Sequence, residues 1–175
     1  MEVAADCGIK DKEFIRAKNA AYRALAIRPR SRREVAQRLR DRGVVVTMID
    51  AVLAELERYG YVNDETFAAQ WIEGRVRLRA FGRRRIEKEL KDKGVDGDTA
   101  RQSLAAHLSP EREMETAREA ASRKLQAMLG LDPMTRRRRL AGYLQRKGFS
   151  FQIIRDIMHE TDMGPAEPFS ESPEG

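Results

Sequence analysis

The sequence predicts an all-α protein built from tandem three-helix units, and three observations predict it. First, a short string is written three times: Leu39-Arg40-Asp41-Arg42-Gly43-Val44, then Leu90-Lys91-Asp92-Lys93-Gly94-Val95, then Leu144-Gln145-Arg146-Lys147-Gly148-Phe149. The glycines stand 51 and then 54 residues apart, an internal repeat that settles the architecture before any single residue does. Second, apolar residues on both sides of each string recur at helical spacing. Third, the one β-prone run, Val44-Val45-Val46, is short and falls in the turn after a glycine.

Each string reads as a helix stop. The apolar pairs Val35 and Leu39, Ile86 and Leu90, and Leu140 and Leu144 sit four residues apart and put one stripe on each helix. Arg42, Lys93 and Lys147 lie in the last turn, where the helix dipole favours a cation. The glycine then suits the left-handed position just past the helix, and the residue after it is placed to pack on the leucine of the string. Leu39, Leu90 and Leu144 are therefore expected in the core.

In chain order, residues 1–13 carry no period and are expected to lack regular structure. Phe14, Ala17, Ala21, Ala24 and Leu25 trace the face of a first helix, which ends before Pro29. Ser31-Arg32-Arg33-Glu34 fits a capping box that opens the second helix. Met48, Ile49, Val52, Leu53 and Leu56 mark a third, with Thr47 as its expected cap, and complete a repeat over 14–62. A second repeat spans 63–108. Asn63 caps its first helix, and Asp98 is the expected cap of its third, which carries Ala100, Leu104 and Leu108. Trp71 is the only tryptophan and is expected in core or inter-repeat packing. A third repeat spans 109–160. It opens on Ser109-Pro110-Glu111, is interrupted by Gly130-Leu131-Asp132-Pro133, and closes with Ile153, Ile154, Ile157 and Met158. Residues 161–175 hold four acidic residues and no Lys or Arg, which is expected to be a solvated acidic tail.

Composition narrows the function. The 175 residues are 41% hydrophobic and 35% charged with a formal net charge of +6, which favours acidic partners, nucleic acid first among them. The single cysteine, Cys7, excludes an intramolecular disulfide framework and any Cys-based zinc site. No apolar run approaches the roughly 18 residues a membrane span needs, and the N-terminus lacks a secretory signal; a cytoplasmic protein without membrane contact is expected. No phosphate loop is present around Gly82-Arg83. The two histidines, His107 and His159, belong to no visible ligand pair or catalytic set, so neither enzyme activity nor a cofactor or metal is expected.

Positive charge recurs with the repeat. Arg32 and Arg33, Arg83, Arg84 and Arg85, and Arg136, Arg137, Arg138 and Arg139 precede the three strings, and Arg75, Arg77 and Arg79 lead into the middle cluster. Any one of these is well explained as solvated helix surface; their return at one register favours a shared partner, although duplication alone would also copy the register.

The stretch Tyr61-Val62-Asn63-Asp64-Glu65-Thr66-Phe67-Ala68-Ala69-Gln70-Trp71, continuing through Arg75 to Phe81-Gly82-Arg83-Arg84-Arg85-Ile86-Glu87-Lys88-Glu89-Leu90-Lys91-Asp92-Lys93-Gly94-Val95, resembles the RecX family of bacterial recombination regulators. Ser31-Arg32-Arg33-Glu34-Val35 with Leu39 is similar to the family's first repeat, and Arg146-Lys147-Gly148-Phe149-Ser150-Phe151 with Ile154 to its third. The resemblance covers roughly residues 20 to 159; the Arg28-Pro29 step and the Met128–Pro133 insertion depart from it. It implies an elongated, curved array of three tandem three-helix repeats that is not an enzyme. Such a protein binds the RecA–DNA filament in its groove and usually inhibits RecA ATP hydrolysis, strand exchange and co-protease activity.

On that reading the twelve arginines form the partner-binding set, the partner is the RecA filament with some affinity for single- or double-stranded DNA, and the protein is a monomer. Reversing charge at Arg83, Arg84 and Arg85 together is expected to weaken partner binding without unfolding the chain. The competing reading is a helix-turn-helix module that acts on DNA directly, in which case affinity for naked DNA should fall steeply with salt.

Overall fold

The computed structural model describes residues 3–161. Among them are nine helices and no strand: α1 Val3–Ile27, α2 Arg32–Arg40, α3 Val46–Arg58, α4 Asp64–Arg79, α5 Arg83–Asp92, α6 Gly97–His107, α7 Pro110–Gln126, α8 Pro133–Lys147 and α9 Phe151–Glu160. They follow one another as three sets of three, an all-α tandem-repeat fold.

The helix stops form as their sequence dictates. Gly43, Gly94 and Gly148 have φ of 76, 84 and 88°, a backbone conformation that costs glycine little and a residue with a Cβ more. In each copy the N–H after the glycine donates to the leucine carbonyl, Val44 to Leu39 at 3.2 Å, Val95 to Leu90 at 3.0 Å and Phe149 to Leu144 at 3.3 Å. The glycine N–H donates to the carbonyl three residues back. This is the Schellman pattern, which satisfies carbonyls a helix end leaves orphaned. Leu39, Leu90 and Leu144 are all buried, with Val95 and Phe149 buried beside them.

Helix starts follow the sequence in part. Ser31 and Glu34 close the capping box, Asn63 accepts from the Thr66 N–H at 2.8 Å, and Ser109 caps α7 with Pro110 in its first turn. Two expected caps are wrong. The cap of α3 is Val45, which has no side-chain acceptor, and Thr47 lies inside the first turn. The cap of α6 is Asp96, whose carboxylate accepts from the Asp98 and Thr99 N–H groups at 2.8 and 3.3 Å. In the third repeat the cap is Ser150. The physical rule is common to the three: a Schellman turn leaves one residue between the glycine and its successor's neighbour, so the cap is always two residues past the glycine.

The beginning of the chain also differs from expectation. The sequence predicts no regular structure over 1–13, whereas α1 starts at Val3. An apolar period is needed for a buried face, not for a helical backbone, and apart from Gly8 nothing between Val3 and Glu13 breaks a helix. The acidic tail from 162 onward lies outside the described residues.

Contacts gather into two compact units: one is the chain up to Trp71 with Glu89–Ser103, the other Ile72–Lys88 with the chain from Leu104 on. In the first, α1, α2 and α3 pack around Ala17, Ala21, Val35, Leu39, Ile49, Val52, Leu53, Leu56 and Val62. The alanine face of α1 removes bulk where the helices meet. In the second, α7, α8 and α9 pack around Ala117, Ala121, Leu140, Leu144, Phe149, Ile154, Ile157 and Met158, with Ala80 joining them. Each of α4, α5 and α6 contributes residues to both units.

Candidate interaction surface

The arginines that precede each helix stop do two different jobs, and the backbone decides which. In the first unit the Arg32 N–H, at the start of α2, donates to the Asp64 carboxylate at the start of α4 at 2.8 Å. Burial raises the pKa of Asp64 against that bond. The Arg32 Nε pairs with Glu57 at 2.8 Å. The aliphatic part of Arg33 lies over Gly94, where a Cβ would come within 2.1 to 2.8 Å of its side-chain carbons. The Ser31 hydroxyl donates to the Lys93 carbonyl at 2.6 Å. Glu34 sits between Lys93 at 2.8 Å and Arg28 at 2.9 Å. Burial works against its charge, but these two cations override it and hold the carboxyl at about 2.

The second unit repeats the joint. Gly82 takes the place of Ser31, eight residues before the leucine of its string. Its N–H donates to the Lys147 carbonyl at 2.8 Å, and a Cβ on it would stand 2.6 Å from the backbone of Gly148 and Phe149. Arg83 takes the place of Arg32: its N–H donates to Glu113, in the first turn of α7, at 2.8 Å. Its guanidinium bonds the other Glu113 oxygen at 3.4 Å and the Leu108 carbonyl. In both units, then, the first arginine of the cluster clamps the first turn of the next repeat's leading helix.

Arg83 is thereby a structural residue. The expectation that Arg83, Arg84 and Arg85 can be reversed together without harm to the fold is corrected: a reversed side chain at 83 would set a second carboxylate against Glu113, whose side chain is only 7% exposed, and leave that buried carboxylate without its cation. Arg84 is exposed, and among the described residues only its N–H is engaged, on the Gly148 carbonyl at 3.2 Å. Arg85 stacks its guanidinium 3.8 Å from the Phe81 ring centroid and donates to the Arg146 carbonyl at 3.0 Å. At the end of α4, Arg77 and Arg79 are exposed, whereas Arg75 is half-buried and engaged.

Trp71 is half-buried rather than core. It stacks on Phe67, its Nε1–H donates to Glu89 at 3.1 Å, and the Lys93 ammonium lies 4.7 Å from its ring. Phe67, 4% exposed, is the buried member of the pair.

The third cluster has no later repeat to clamp among the described residues. Arg136 and Arg137 are half-buried, with the Arg136 Nε enclosed and lacking a hydrogen-bond partner among the described residues. Arg138 and Arg139 are exposed on α8. Beside them sequence reasoning overlooked Lys124, Gly142, Arg146 and Lys147. The signal was there: Arg139 and Arg146 are seven residues apart on one helix, hence on one face. Lys147 sits between the Phe81 and Tyr143 rings at 5.1 and 5.3 Å. Burial, then Arg85, Arg123 and Arg79, push its ammonium below the usual lysine range.

Among the described residues no group of three or more His, Cys, Asp or Glu is placed to hold a metal, and no helix is long and apolar enough to cross a membrane.

Family models for the first, second and third three-helix domains of RecX match residues 17–56, 63–104 and 111–158. The regulatory protein RecX of Streptomyces coelicolor is 38% identical over 148 residues, which cover 82% of this chain and 78% of the relative. That of Amycolatopsis mediterranei is 32% identical over 154 residues, 86% and 87% of the two chains. The crystal structure of RecX from Lactobacillus salivarius matches with a TM-score of 0.79 at 23% identity, over 87% of this chain and 99% of that one, a likeness of fold.

Proposed function

The chain belongs to the RecX family of regulatory proteins, and from that premise we propose that it regulates homologous recombination and DNA repair by binding the RecA–DNA filament in its groove. There it lowers RecA ATP hydrolysis, strand exchange and co-protease activity. It acts by contact and not by catalysis, as a cytoplasmic monomer without a cofactor.

The observation that supports this reading best is the division of labour within the clusters. One position per joint holds the fold, Arg32 through its backbone N–H on Asp64 and Arg83 through both its N–H and its guanidinium on Glu113, while Arg77, Arg79, Arg84, Arg138 and Arg139 stand exposed. Exposed cations returning from repeat to repeat suit a partner that itself repeats. Arg32, Arg33 and Arg85 add charge near that surface while their stems or backbones serve the joints, and Arg75, Arg83, Arg136 and Arg137 are the more enclosed members of the set.

The test is RecA ATP hydrolysis on single-stranded DNA with this protein titrated in. The wild type should depress the rate, and Arg77→Glu with Arg79→Glu and Arg84→Glu should weaken that depression while helicity and melting are unchanged. An unaltered rate at saturating wild-type protein would refute the reading.

A further inference from the structure

One recess in the second unit concentrates positive charge that no carboxylate among the described residues neutralises. Lys124 of α7 and Arg138, Arg139, Gly142 and Arg146 of α8 line a cavity of about 430 Å³ that contains no carboxylate. None of the four cations makes an ion pair among the described residues, whereas Arg83, Arg112 and Arg118 in the same unit all do. Like charges gathered this closely repel, and a protein keeps such an arrangement most readily where an anion relieves it.

The recess is also shaped. A Cβ at Gly142 would stand 3.2 Å from the Arg146 guanidinium, so the missing side chain leaves the floor open and lets Arg146 fold across it. From Arg138 to Arg146 the helix rises about 12 Å at 1.5 Å per residue. That length is more than one carboxylate would occupy and suits a backbone that presents several anions in a row, as the phosphates of a nucleic-acid strand do. Beyond the recess the positive field continues through Lys147, held between Phe81 and Tyr143.

We propose that this recess is a phosphate-binding site for the backbone of single-stranded nucleic acid, with Arg138, Arg139 and Arg146 as forks on successive phosphates and Lys124 as a point charge on the facing wall. The proposal deepens the regulatory reading, which rests on the protein lying beside nucleic acid, but its test does not depend on the recombinase.

The probe is fluorescein-labelled oligo(dT), which has no secondary structure, followed by anisotropy at several salt concentrations. The wild type should bind with log affinity falling by about 0.7 per phosphate for each tenfold rise in salt. Arg138→Gln with Arg139→Gln should reduce that slope by about 1.4. Gly142→Leu keeps the net charge and fills the floor; it should weaken binding at least threefold, which a diffuse effect of net charge would not produce. Circular dichroism confirms that each variant is folded.

Unchanged affinity in both variants would overturn the proposal. Displacement by polyglutamate as effective as by unlabelled oligo(dT) would assign the recess to an acidic protein instead and overturn it too. Equal displacement by inorganic phosphate at matched phosphate concentration would make free phosphate the ligand and also end it. The RecA ATPase assay run on the same variants separates the two ideas: a wild type that binds oligo(dT) through this recess yet leaves ATP hydrolysis untouched sinks the regulatory reading and keeps the site.

Discussion

Replacing Arg83 by glutamine removes the guanidinium from a carboxylate that has little other recourse. Glu113 has a side chain 7% exposed, and Arg83 one 33% exposed. Breaking a buried pair by deleting one partner costs about 3–5 kcal/mol. Here the figure is smaller, because Arg83 is partly solvated and because its own N–H still donates to Glu113 at 2.8 Å. The Leu108 carbonyl at the end of α6 also loses its donor, which works the other way. About 2 kcal/mol is the resulting expectation. With a urea m-value of about 1–3 kcal/mol/M, the unfolding midpoint should fall by roughly 1 M in a titration followed by helical circular dichroism. Arg84→Gln, one residue along and exposed, should stay within about 0.5 kcal/mol of wild type. Glu113→Gln combined with Arg83→Gln should recover part of the loss, since no charge is then stranded. If Arg83→Gln shifts the midpoint no further than Arg84→Gln does, the distinction between a clamping and a surface arginine is wrong.

Val45→Asp gives α3 the side-chain cap its sister helices already have in Asp96 and Ser150; it should stabilise the protein by about 1 kcal/mol in the same titration, and a loss would refute the cap rule. Gly43→Ala meets nothing within 4 Å and should cost only the left-handed backbone term, about 1 kcal/mol, whereas Gly94→Ala must also drive off the Arg33 side chain and should cost clearly more; equal melting temperatures would contradict the packing. The Glu34 carboxyl, held at about 2 when folded and near its ordinary 4.5 when unfolded, contributes stability that is present in full above about 4.5 and lost as pH falls toward about 2. Glu34→Gln should therefore be less stable than wild type at pH 7 and converge on it near pH 2, as read from urea midpoints at both pH values.

The helix stops were legible in the sequence because everything that makes them lies within six residues. A glycine with room for positive φ, a leucine five residues before its clasp, and a cation in the last turn satisfy one another locally, and the chain writes that set three times. The cap of each following helix was legible in principle for the same reason: Val45, Asp96 and Ser150 share a register that Thr47 and Asp98 do not. The repeat itself, and with it membership in a family of three-helix domains, follows from such local chemistry.

What each arginine does was decided only by the tertiary structure. Arg32 and Arg83 are spelled like their neighbours, and nothing within one helix separates them from Arg33 or Arg84. The separation comes from Asp64, 32 residues after Arg32, and Glu113, 30 residues after Arg83. The open recess likewise needs α7 and α8 side by side to bring Lys124 against Arg138, Arg139 and Arg146. A helix end is closed by its own backbone, so sequence determines it; the fate of a long charged side chain depends on which distant backbone or carboxylate the fold sets before it.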